Sequence, residues 1–296
     1  MAAPPSWLER QEGLARLARR QLFFIGGPPR SGTTWLQQLL DCHPDISCRG
    51  EGLFWEQLAV PLDKLMTERR QALTAKNQRL FAHTGGYELP DSADTEALLG
   101  TAILLALERQ SAGKSARAIG EKTPENVFLF PRLKRLFPNA RFIGIARDPR
   151  DLLTSAWHFF RKPVVSGDET EAKIAFIRGA IPPLNEGARR MLALREEHPG
   201  DCLLVTYEGL RSAPEANAAA LFRFLGVSDD AGIVADCVAR ASFSAMTDGR
   251  PAGVEANGSF LRKGVVGDWP TTLTPEMNTM ILTELGWMFP HFGWQP

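Results

Sequence analysis

Residues 23–35 read Phe-Phe-Ile-Gly-Gly-Pro-Pro-Arg-Ser-Gly-Thr-Thr-Trp, and no other stretch restricts the fold as much. An apolar strand over 22–25 runs into a Gly/Pro turn. A helix then opens at Thr33, with apolar positions at Trp35, Leu36, Leu39 and Leu40. Strand, glycine loop and helix in this order make a phosphate-binding loop, where backbone N–H groups at a helix N-terminus face an anion. The nucleoside-triphosphate pattern G-x-x-x-x-G-K-S/T can be laid on Gly27 to Thr34, but its Lys position holds Thr33. The cation comes earlier, at Arg30. The loop is expected to bind phosphate without the Lys that reaches β- and γ-phosphates, so a nucleotide whose 5′ end is not a triphosphate fits better.

Further β-type segments lie at 117–120, 141–146 and 202–207, with a weaker one at 46–48, and helical patterns follow them. This alternation predicts an α/β fold, P-loop-like and three-layered, with a central parallel sheet flanked by helices. Residues 1–296 read as one domain, with a helical insertion at about 53–116 and a second helical stretch over 169–197, interrupted at Pro182-Pro183. Ligands of such sheets bind at the carboxyl ends of the strands, where every motif below falls. The 34 basic and 34 acidic residues cancel, which argues against a general nucleic-acid or membrane-surface binder. Cys42, Cys48, Cys202 and Cys237 form no C-x-x-C pair and no zinc spacing, so free thiols in a reducing cytoplasm are expected and no metal is. The first 21 residues suggest an amphipathic surface helix rather than a signal peptide. No window approaches the roughly 20 apolar residues of a membrane span.

Two more segments carry charge into turns. Arg147-Asp-Pro-Arg-Asp151 follows the strand at 141–146, and Ser155 lies eight residues after Arg147 on the next helix. Arg262-Lys263-Gly264 with Gly267-Asp268-Trp269 makes a flexible basic loop near the C-terminus. Each alone reads as an ordinary solvated turn; each could also hold a phosphate. Taken in order with the loop at 23–35, they resemble the nucleotide-binding set of sulfotransferases that use 3′-phosphoadenosine 5′-phosphosulfate (PAPS). The resemblance spans about residues 22–270. It implies that Arg30, Ser31, Gly32, Thr33 and Thr34 bind the 5′-phosphosulfate, and that Arg147, Ser155, Arg262, Lys263 and Gly264 bind the 3′-phosphate. It also implies that Trp35, Tyr207 and Phe243 lie around the adenine. PAPS would be the co-substrate and adenosine 3′,5′-bisphosphate (PAP) the product, with no metal.

Sulfuryl transfer to a hydroxyl rests on positioning and charge stabilisation, helped by a general base. Many cytosolic members place a His in a Lys-Thr-His element, but Gly120-Glu-Lys-Thr-Pro-Glu125 contains none. Asp41-Cys-His-Pro-Asp-Ile-Ser-Cys-Arg-Gly-Glu51 resembles instead the protein-tyrosine sulfotransferases and related bacterial enzymes, whose base is acidic. That implies Glu51 as base, Lys122 as the charge-stabilising cation, and Glu125 or Glu121 as the next candidates for the base. His43, before Pro44, is expected to fix a turn. The expected acceptor is a small-molecule or peptide hydroxyl or phenol. The competing reading, a P-loop kinase, requires the missing Lys and a Mg²⁺-binding Asp, for which Asp148 is a weak candidate. A non-catalytic nucleotide-binding module would not need both Glu51 and Lys122.

Overall fold

The computed structural model describes residues 6–160, 168–256 and 259–296. Helix α1 (Trp7–Ala18) is capped by Ser6, which accepts from the Glu9 amide, and buries Leu14 and Leu17. Next come β1 (Gln21–Gly26), α2 (Thr33–Asp41) and the short β2 (Ile46–Cys48). A π-helical turn (Phe54–Ala59) leads into α3 (Val60–Leu80), then α4 (Ser92–Ser111), β3 (Ala118–Lys122) and α5 (Asn126–Leu136). β4 (Arg141–Ala146), α6 (Pro149–Phe160), α7 (Glu169–Glu197) and β5 (Cys202–Thr206) follow. The chain closes through α8 (Tyr207–Ser212), α9 (Pro214–Leu225), α10 (Ala231–Arg240) and α11 (Pro275–Leu285).

The five strands form one all-parallel sheet in the order β2-β3-β1-β4-β5. Phe24 of β1 lies opposite Glu121 of β3 on one side and Phe142 of β4 on the other. Successive residues of β1 serve opposite faces. Phe24, with Ile119 and Phe142, packs under α4, α5, α7 and α11; Phe23 and Ile25, with Ile143 and Val205, pack under α2, α9 and α10. Both faces are covered, which is why the strands read as apolar runs rather than alternating ones. Each such side chain contributes about 1.5–3 kcal/mol on burial. After β3 the chain crosses over β1 to reach β4. The crevice at the carboxyl ends of β1 and β4 is therefore the topological switch point, where ligands of open α/β sheets bind.

The structure departs from the sequence reading in three places. β3 runs on to Lys122, because its two charged residues are satisfied inside the protein rather than exposed in a turn. Tyr207 opens α8 instead of ending β5. Helix α7 continues through Pro182 and Pro183, although an interior proline costs about 3 kcal/mol. Burial of Ile181 and Leu184 beside them favours the unbroken helix. Within the stretch at 53–116, α3 buries no residue, whereas α4 drives Leu99, Ile103, Leu104 and Leu107 into the core.

Candidate active site

The loop between β1 and α2 is fixed by close approach. A Cβ on Gly27 would lie 2.3 Å from the Ile145 carbonyl oxygen, and one on Gly32 would lie 2.7 Å from Cδ2 of Tyr207. Gly32 has φ 98° and caps α2 without a side-chain hydrogen bond, so the first-turn amides of α2 have no side-chain acceptor. The Ser31 side chain is buried, and its Oγ has no hydrogen-bond partner.

Arg30 has φ 74°, left-handed for a residue with a Cβ. Its guanidinium lies against the rings of both Phe159 and Phe260, at 4.4 and 4.6 Å, and donates to the Phe260 carbonyl at 2.5 Å and to Ser155 Oγ at 3.4 Å. Arg147 stands 4.3 Å over the Tyr207 ring and donates to the carbonyls of Arg30 at 3.3 Å and Val265 at 3.0 Å. Burial, with the nearby positive charges of Arg147 and Arg262, pushes the Arg30 pKa down to about 10. An anion bound among these cations would relieve that repulsion. Buried Nε atoms of Arg147 and Arg262 lack partners, as Ser31 Oγ does. Unpaired buried donors of this kind fit a multiply charged phosphate ligand.

One cavity gathers most of the expected nucleotide set: Arg30, Gly32, Thr33, Thr34, Trp35 and Arg147, then Ser155, Tyr207, Phe243 and Arg262 to Gly264. Ser31 is the exception; its side chain is not on the wall. Trp35 meets Tyr207 edge to face at 5.7 Å and donates through Nε1 to the Ala241 carbonyl. Asp268 joins Arg262 and Lys263. Burial alone would raise its carboxyl, but hydrogen bonds from both cations prevail and hold it below the ordinary carboxylate range.

A second cation reaches the loop from β3. Lys122, 2% exposed, donates to Thr34 Oγ1 at 3.2 Å and to Glu51 Oε1. The Glu51 side chain is 42% exposed, so the pair has one buried end and one open end. Glu121 turns the other way into the protein. It accepts from the Gly52 amide, the Thr123 hydroxyl and the Asn126 amide at 2.6, 2.5 and 2.6 Å. Burial raises its pKa, against the pull of those hydrogen bonds. Glu125, next to Pro124 whose carbonyl accepts from Gly27 N, also has a raised pKa, through burial and then the charges of Glu56 and Glu51.

A second, mostly apolar cavity is lined by Gly27, Pro28 and Pro29, by Phe128, Phe160 and Phe176, and by two carboxylates, Glu56 and Glu125. Among the described residues, none lines both cavities. Phe54 and Trp157 are core residues, while Phe159 flanks Arg30. His43 fixes its turn as expected: Nδ1 accepts from the Asp45 amide and Nε2 donates to the Ser228 carbonyl. Asp148 is engaged by Arg150, and among the described residues no acidic or thiol cluster has metal-binding geometry. Sequence reasoning missed Asp151. It is buried on α6 and accepts from the amides of Gly267 and Trp269 at 2.6 and 3.0 Å, tying down the basic loop. Its one signal is a position four residues after Arg147.

Fold and site define a nucleotide-binding protein of the phosphate-loop class. A family model described as the sulfotransferase family matches residues 23–231. The sequence is 31% identical over 210 residues to protein-tyrosine sulfotransferase 2 of Gallus gallus, covering 70% of this chain and 51% of that protein. It is 31% identical over 206 residues to protein-tyrosine sulfotransferase 1 of Danio rerio, covering 70% and 53%. The chain thus spans about half the length of these curated relatives. Among solved structures, mouse sulfotransferase SULT7A1 complexed with PAP superposes with TM-score 0.58 at 19% identity, covering 95% of this chain and 90% of that one. Sulfotransferase STF9 from Mycobacterium avium gives 0.58 at 15% identity, covering 98% and 81%. The chain belongs to the sulfotransferase family.

Proposed function

We propose that this chain transfers the sulfuryl group of PAPS to a phenol. The observation that carries the reading is the convergence of Arg30, Arg147, Arg262 and Lys263, from three separate segments, on one cavity beside an uncapped helix N-terminus. The donor supplies an activated sulfuryl group on its 5′-phosphate. Arg30 and the α2 amides neutralise charge that grows on that phosphate as the S–O bond breaks. Lys122, held at Thr34, stabilises the sulfuryl oxygens. Glu51 takes the acceptor's proton as its oxygen bonds to sulfur, and PAP leaves. No triphosphate and no metal enter this scheme, so the kinase reading is not favoured.

A phenol is preferred on two grounds. The relatives above bear the name of tyrosine-modifying enzymes, and the second cavity is aromatic-walled and lined in part by Gly27, Pro28 and Pro29 of the loop. Titration calorimetry of PAP, ATP and 5′-AMP without metal tests the donor site. Tight PAP binding with the other two weak is expected; ATP binding as tight as PAP would overturn the reading. Mass spectrometry of products from PAPS with phenols and aliphatic alcohols then tests the acceptor, and sulfation confined to the alcohols would remove the phenol assignment.

A further inference from the structure

We infer that Glu121 and Thr123 form a buried clamp that positions Glu51, an inference that rests on Glu51 being the base. Residues 49–53 are all exposed, and the turn has positive φ at Gly50 (62°) and Leu53 (51°). A turn of that kind has no side-chain packing to fix the carboxylate it carries. Backbone amides hold it instead: Arg49 N donates to Gln110 Oε1 at 2.9 Å at its start, and two more are held at its end. Gly52 N donates to Glu121 Oε1 at 2.6 Å, and Leu53 N donates to Thr123 Oγ1 at 3.2 Å. The Thr123 hydroxyl donates in turn to Glu121 Oε1, and Asn126 Nδ2 donates both to Glu121 Oε2 and to the Ile25 carbonyl at 3.0 Å. Glu121, Thr123 and Asn126 are 3%, 1% and 0% exposed. One buried hydrogen-bonded chain therefore runs from the end of β1, where the phosphate loop begins, to the turn that bears the base.

Strand alternation completes the device. Neighbours in β3 point to opposite faces, so Lys122 takes the Glu51 carboxylate while Glu121 takes the backbone behind it. Every group facing the Glu121 carboxylate is a donor, and a carboxylate is an acceptor at both oxygens. A glutamine there must turn an NH₂ toward one of those donors, so Glu121→Gln breaks the clamp at nearly constant volume.

Glu121 and Thr123 are positioning residues, and the test is a double-mutant cycle in the full chain. Glu121→Gln is expected to lower kcat about tenfold, with KM for PAPS and the affinity for PAP within about twofold of wild type. Thr123→Val should do the same more weakly, and Thr123→Ser, which keeps the hydroxyl, should restore kcat. The Glu51→Gln/Glu121→Gln double variant should be no slower than Glu51→Gln alone, because a misplaced base adds nothing once the base is gone. Wild-type kcat in Glu121→Gln, or fully multiplicative losses in the double variant, would overturn the clamp. So would PAP affinity falling in step with kcat in the Glu121 and Thr123 variants. Wild-type turnover in Glu51→Gln itself would instead remove the base assignment, and the cycle distinguishes these two failures.

Discussion

Lys122 is buried almost completely yet touches both a helix-opening threonine and an exposed glutamate. Such a lysine tolerates little change. Lys122→Met keeps the length and removes the charge, so it is expected to cost about 10²–10³ in kcat while PAP still binds, which steady-state rates with parallel calorimetry will show. Glu51→Gln should lower kcat by about 10² or more, the ordinary worth of a positioned base. His43 makes a stability prediction. Burial lowers its pKa below the ordinary 6.5, against the hydrogen bond to Ser228, so the folded state binds fewer protons than the unfolded one. The stability it contributes is complete above that ordinary value and declines as pH falls through it toward the folded pKa. Urea midpoints from pH 7.5 to 5 should fall more steeply for wild type than for His43→Gln; equal slopes would place the pH sensitivity elsewhere. The sequence singles out Arg30, Lys122 and Glu51 through motifs, and the structure brings Lys122 and Glu51 into contact. Glu121 and Asp151 were not seen in their roles, because each serves backbone amides distant in sequence, and no spacing records that.

The β1–α2 loop is the element with the tightest geometric demands. At Gly32 a side chain meets both a positive φ and the Tyr207 ring. Gly32→Ala should weaken PAP binding about tenfold, roughly 1.4 kcal/mol, by moving the α2 amides off the phosphate. An unchanged dissociation constant would show that the ring yields instead. The 260–269 segment, in contrast, depends on a partner from another element. Asp151→Asn offers one acceptor where two amides now bond. It should reduce affinity for PAP while leaving that for adenosine 5′-phosphosulfate, which lacks the 3′-phosphate, unchanged. Elements themselves were readable because strand and helix periods are local. The boundary of β3 was not, since its last two residues are charged and only the folded protein supplies their partners. The strand order was not readable either, because which neighbours pair is decided by crossovers.

On the scale of the whole molecule, the proposed donor cavity joins positions 30, 147 and 262, which are far apart in the chain. PAP at about a hundred times its dissociation constant should add about 2.7 kcal/mol to unfolding, and a thermal scan should register a rise of several degrees. High salt should shrink that rise, because the contacts are between charges. Both cavities are lined by residues of the β1–α2 loop, and among the described residues none lines both. Donor and acceptor can therefore be present together, with no need to park the sulfuryl group on the protein between visits. Initial-rate plots with both substrates varied should intersect, as for a sequential ternary complex, and PAP should compete with PAPS alone. Parallel lines, or a sulfated enzyme caught in the absence of acceptor, would mean that the two rooms are used by turns.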